Sequence, residues 1–154
     1  MLSADIMREV YTVHTERLKR PWPAELAEHW QNEVMRTFPE AIITDYEALI
    51  PALEMPDKDD RHVLAATIKG HAQHICTFNI KDYPASALET WNIEAVHPQA
   101  YLATLYELSP QLVTNRIHEI AESREVSPQQ ALTDLGRTLP RFAESVAEEM
   151  GWDL

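Results

Sequence analysis

Between Pro56 and Pro84 the chain reads PDKDDRHVLAATIKGHAQHICTFNIKDYP, and this run leaves little freedom to whatever folds around it. Asp57 stands where a helix N-cap belongs, with Asp59 and Asp60 in the first turn, where free backbone N–H groups and the helix dipole favour negative charge. Val63, Leu64, Thr67 and Ile68 then give one apolar face, and Lys69 with Gly70 marks the stop. His74-Ile75-Cys76-Thr77-Phe78 follows without polar alternation, the pattern of a strand covered on both faces. A buried strand after a helix points to a parallel sheet. Asn79 and Asp82 leave the C-terminal end of that strand, the edge where open α/β sheets form ligand sites. An acid at the helix start and an acid past the strand can therefore converge on one cation.

DKDDRHVLAA followed by TFNIKDYP resembles the second half of a PIN-domain ribonuclease, the fold of many bacterial toxin–antitoxin nucleases. The likeness extends back to Ser3-Ala4-Asp5-Ile6-Met7-Arg8-Glu9-Val10, which is similar to the family's helix bearing a catalytic glutamate. The resemblance implies an α/β, PIN-like three-layer fold with a short parallel sheet. It implies an RNA substrate, an antitoxin protein as partner, and Mg²⁺ or Mn²⁺ held by Glu9, Asp60 and Asp82, with Asn79 as a polar partner. Within the acidic triplet the match to the family's motif implies Asp60 as the ligand, while Asp57 reads as a cap and Asp59 as a solvent-facing residue. Carboxylates suit such hard cations, which keep several waters that can be oriented for attack on phosphorus.

PIN domains open with a strand of the type apolar-apolar-Asp, whose aspartate is a central ligand, whereas this chain opens at Met1-Leu2-Ser3, already at the glutamate helix. The expectation is an N-terminally truncated PIN-like domain with a gap of two strands in its sheet. The strand at Ile42 to Thr44 then closes directly on His74 to Phe78, or another chain fills the gap, as a homo-oligomer or a complementing strand.

With 154 residues, 45% of them hydrophobic, the chain can bury the core of one ordinary domain. Its single cysteine, Cys76, excludes an internal disulfide and fits a reducing cytoplasm; no signal peptide or membrane span is evident. A net charge of −12 gives no overall basic footprint for a phosphate backbone, although a carboxylate site recruits its own cations. Arg17, Lys19 and Arg20 form the basic cluster of note; at a helix C-terminus they complement the dipole, and they can also grip RNA phosphates. Only three glycines are present and no Gly-rich loop, which disfavours a nucleotide site. His71, His74 and Cys76 lack the second ligand pair that zinc needs, and His74 and Cys76 read as core.

Ser3 is a good N-cap for the first helix, on which Glu9 sits at the border of the apolar face, as a solvated glutamate or as a ligand. Leu26, Trp30, Val34 and Phe38 define a second amphipathic helix with its tryptophan in the core. Ile93 to Val96 reads as an edge strand. His97-Pro98, Ser109-Pro110 and Ser127-Pro128 then start helices, and Gly151 stops the last. Residues 1–98 are thus expected to form the PIN-like α/β domain and residues 99–154 a helical extension packing on the same domain. The leading reading is a metal-dependent toxin ribonuclease; the rival is a catalytically incomplete PIN-like fragment serving as an interaction or structural module.

Overall fold

A computed structural model describes residues 1–153. The chain forms two compact units: Met1–Ile75 with Asn79–Ala95, and Cys76–Phe78 with the chain from Val96 onward. The architecture is mixed α/β with short parallel strands, as the resemblance implies. No helix among the described residues is long and apolar enough to cross a membrane.

In the first unit β1 (Leu2–Ser3) runs straight into α1 (Ala4–Thr12). Ser3 is fully buried and its Oγ accepts the Ile6 N–H at 3.2 Å, the expected cap. The helix continues into a wider π turn, Val13–Arg17. The side-chain amide of Gln31, on α2 (Ala24–Thr37), donates to the Met7 carbonyl at 2.6 Å and ties the two helices together. The four-residue stripe on α2 is less buried than its spacing suggests. Leu26 and Phe38 are 48% and 52% exposed, Trp30 and Val34 are half-buried, and Ala27 is the buried contact.

The sheet departs from expectation. β2 (Ile42–Ile43) pairs in parallel with β1, Leu2 opposite Ile42 and Ser3 opposite Ile43, so the residues before the glutamate helix themselves supply the neighbour of β2. β2 does not close on β3 (His74–Cys76), which pairs instead with β4 (Glu94–Val96) in a second two-stranded sheet. β3 is also not covered on both faces: Ile75 is buried while His74 and Cys76 are exposed, so neither of the latter is core. A three-residue strand is too short for a run of apolar letters to reveal which face is wet.

Between β2 and β3 in sequence, α3 (Arg61–Lys69) is the element most completely removed from water; Leu64, Ala65, Ala66 and Thr67 are all at 0% exposure. Asp57 does not cap it. The N-cap is Asp60, and the Asp57 carboxylate accepts the Asp59 N–H at 2.9 Å in a local turn ahead of the helix. Gly70 ends α3 without a left-handed backbone, which His71 adopts instead at φ 52°. The need for glycine is one of space: a Cβ at Gly70 would stand 2.9 Å from Met1 Sδ, 3.0 Å from Ile43 Cδ1 and 3.1 Å from the Ala66 carbonyl oxygen.

The second unit is built from α5 (Pro98–Leu108), α6 (Pro110–Ser123), α7 (Pro128–Gly136) and α8 (Pro140–Met150); the first unit's short α4 spans Ala85–Leu88. All four of these helices begin on proline, which has no N–H to leave unpaired at that position. His97 Nδ1 and Ser127 Oγ accept from Gln99 N–H and Gln130 N–H at 3.1 Å each, and Gly151 stops α8 at φ 66°. Ser109 makes no such side-chain cap. Leu132, Phe142 and Val146 centre a separate core, with Phe142 edge-on to Tyr106.

Gly70→Ala should lower stability by about 1 to 3 kcal/mol, because the methyl group presses on the β1–β2 pair and on a helix carbonyl at once. Urea unfolding measures this directly, and an unchanged midpoint would show that the junction has room to spare.

Candidate active site

Three segments remote in sequence bring acidic side chains to one neighbourhood of the first unit. Glu9 projects from α1, one turn beyond Asp5. Asp60 sits at the start of α3. Asp82 closes a single 3₁₀ turn, Ile80–Asp82, whose backbone bond runs from the Asp82 N–H to the Asn79 carbonyl at 3.0 Å.

Asp60 shows the convergence best. Burial raises its carboxyl above the ordinary value, a hydrogen bond from Tyr83 opposes that, and the charges of Asp57, Asp82 and Glu9 add to the rise. The Tyr83 hydroxyl donates to Asp60 Oδ1 at 2.8 Å. Tyr83 is itself buried, and burial together with that bond and the surrounding carboxylates pushes its phenol upward, so it stays a donor. Although Asp60 occupies an N-cap position, its side chain caps nothing; it turns to Tyr83 instead.

Glu9 is held from the other side of the cluster. His62, in the first turn of α3, brings Nε2 to 3.0 Å from Glu9 Oε1; its side chain is 11% exposed against 60% for Glu9. A carboxylate only accepts, so the proton of this bond is on Nε2. His62 Nδ1 is buried without a partner.

Asp5 is a site-side acid that the sequence reading passed over. It accepts the Tyr46 hydroxyl at 2.6 Å and the Arg8 guanidinium at 2.7 Å. The Tyr46 bond is the main reason its carboxyl lies below the ordinary value, with Arg8 and His62 adding to the effect against a smaller penalty from burial. Its spacing of four from Glu9 on one helix face was the available signal. Tyr46 and Tyr83 carried none, since an aromatic residue in a loop does not announce which acid its hydroxyl will reach.

Of the residues singled out from sequence, Glu9, Asp60 and Asp82 thus share one electrostatic neighbourhood. Asn79 is exposed at the head of the Asp82 turn, and Arg17, Lys19 and Arg20 are exposed at and beyond the end of the π turn. The carboxylate oxygens are the right donors for a hard divalent cation, and their mutual repulsion at Asp60 is what a cation would relieve. Among the described residues, however, no three His, Cys, Asp or Glu side chains are close enough together to form a ready-made metal site.

The chain is 33% identical over 129 residues to a protein named "Putative ribonuclease VapC50" from Mycobacterium tuberculosis (strain ATCC 25618 / H37Rv), with 79% of this chain and 75% of that protein aligned. No family model and no solved structure matches it.

Tyr46→Phe should cost about 1.5 to 3 kcal/mol at neutral pH, the range for a hydrogen bond to a charged group. Because Asp5 is depressed in the folded state, this contribution is complete above the unfolded aspartate value of about 3.9 and is lost as the pH falls through the lower folded value. Urea midpoints of the two proteins should therefore converge on acidification. A gap that stays constant down to acid would show that the bond does not discriminate between charged and neutral Asp5.

Proposed function

Because the chain belongs to the VapC-type PIN-domain ribonucleases of toxin–antitoxin systems, we infer that it cleaves RNA phosphodiester bonds at the Glu9, Asp60 and Asp82 cluster. The observation that carries this placement is Asp60, half-buried at a helix start and within electrostatic reach of carboxylates from two other segments. Such crowding raises the free energy of the ionised acids and is tolerated where a cation compensates it.

The ion that suits these donors is Mg²⁺ or Mn²⁺, held by Asp60 together with Glu9 and Asp82. A divalent cation held there would supply Lewis acidity toward the phosphoryl group and a means of activating water at neutral pH. The protein's own part is placement. Asp60 presents its carboxylate from the rigid end of a buried helix. Asn79, at the head of the Asp82 turn, is the polar partner of these acids. Arg17, Lys19 and Arg20 lie on an exposed stretch after α1 and attract the RNA backbone locally, in a chain whose overall charge repels it. An antitoxin protein is the partner that the family implies.

One observation favours the rival reading, a member that binds without cutting: the acids do not form a three-ligand set as they stand. Cleavage assays on single-stranded RNA decide between the two. The wild-type chain should cleave with Mn²⁺ or Mg²⁺ and stop with a chelator, and Asp60→Asn should lower the rate by about 100-fold or more, as misplacement at a reacting centre does. Cleavage that survives chelation, or that Asp60→Asn leaves unchanged, would remove this function from this cluster. No cleavage by the wild-type chain under any divalent condition would favour the binding module.

A further inference from the structure

We propose that His62 and Tyr83 are positioning residues that hold Glu9 and Asp60 in fixed orientations, each engaging one carboxylate oxygen and leaving the other free for a cation. The proposal rests on the reading of Glu9 and Asp60 as ligands and goes beyond it by assigning two residues that touch neither ion nor substrate.

Glu9 lies on a largely exposed helix face, and a glutamate there has rotatable bonds enough to sweep its carboxylate through solvent. His62 prevents this. Its ring belongs to the first turn of α3, immediately before the four consecutive residues at 0% exposure, so Nε2 approaches Glu9 Oε1 from the most firmly packed element of the unit. Oε2 is not used by that bond.

Asp60 has a different alternative, which is to turn back and cap its own helix, as a carboxylate at that position ordinarily does. It does not do so here, and its Oδ1 accepts from Tyr83. Oδ2 is again outside the bond. Both contacts join segments distant in sequence, 53 positions apart for His62 and Glu9 and 23 for Tyr83 and Asp60.

Packing does not account for either polar group. A leucine would fill much of the space of His62 without leaving Nδ1 buried and unpartnered, a state that buried nitrogens rarely occupy. A phenylalanine would fill that of Tyr83. What the imidazole and the hydroxyl add is one donor each, and both donors point at the carboxylates assigned as ligands. Hydrogen-bond partners of metal ligands characteristically act in this way, fixing the ligand's orientation before the ion arrives.

The test is the affinity for Mn²⁺, measured by calorimetry and by the loss of the free-ion paramagnetic resonance signal, on the full chain without RNA. His62→Leu and Tyr83→Phe should each weaken binding by about 10- to 100-fold. His62→Gln should recover most of the loss, since its amide N–H can reach Glu9 from nearly the same place, a rescue that a space-filling role would not give. Thermal unfolding accompanies each variant; Tyr83→Phe removes a single hydroxyl and decides for its half of the proposal even if His62→Leu is poorly folded. If Asp60→Asn weakens Mn²⁺ binding while His62→Leu and Tyr83→Phe bind as the wild type does, the positioning roles are wrong and the ligand reading stands. Failure of His62→Gln to restore what His62→Leu loses would also overturn the role of His62. If Asp60→Asn binds as tightly as the wild type, or the wild type does not bind Mn²⁺, the ligand reading falls and this proposal falls with it.

Discussion

The burial of α3 is the constraint on which the rest of the first unit depends. Its middle, Leu64 to Thr67, has no contact with water, so the helix cannot shift or rotate without opening the core formed with Tyr46, Ile75, Tyr83 and Leu88. Its two ends inherit that rigidity. At the C-terminal end Gly70 sits against Met1 and Ile43, which fixes the helix against the β1–β2 pair. At the N-terminal end Asp60 and His62 are held where Tyr83 and Glu9 can reach them. The proposed site is therefore attached to the most deeply buried helix of the unit, which suits a site that must place ligands closely.

Electrostatics oppose this arrangement and give it meaning. The chain carries a net charge of −12, and it still keeps Asp57, Asp82 and Glu9 within electrostatic reach of the partly buried Asp60 carboxylate. Hydrogen bonds from Tyr83 and His62 offset part of the repulsion, and Tyr46 with Arg8 holds Asp5 ionised one turn away. Stability alone would favour fewer acids at this point. The proposed cation would offset that repulsion, and kinship with VapC-type ribonucleases is the reason to look for it there.

What could be read from the sequence was what is decided locally. Ser3, Ser127 and Gly151 act within one turn of their own helix, and the structure shows their expected contacts. The string from Asp57 to Asp82 carries the family resemblance by itself. Local reasoning failed where two local solutions compete or where a partner comes from far along the chain. Asp57 could cap a helix or close a turn, and it closes a turn. His74 and Cys76 flank a buried Ile75 on a strand too short to show alternation, and both face solvent. The partner of β2 turned out to be Leu2 and Ser3, two residues that form a strand only because a neighbour exists. The hydroxyls of Tyr46 and Tyr83 reach across 41 and 23 positions, and no window of sequence encodes such a span.

The most direct test of the whole account is a crystal structure of the chain soaked in Mn²⁺, read by anomalous scattering. A peak is expected with the Asp60 carboxylate oxygen about 2.0 to 2.2 Å away, the distance for a small hard cation on oxygen, and at least one of Glu9 and Asp82 completing the contact. His62 and Tyr83 should keep their hydrogen bonds to Glu9 and Asp60 in that structure. A peak at another group of residues, with Asp60 still turned only to Tyr83, would contradict it.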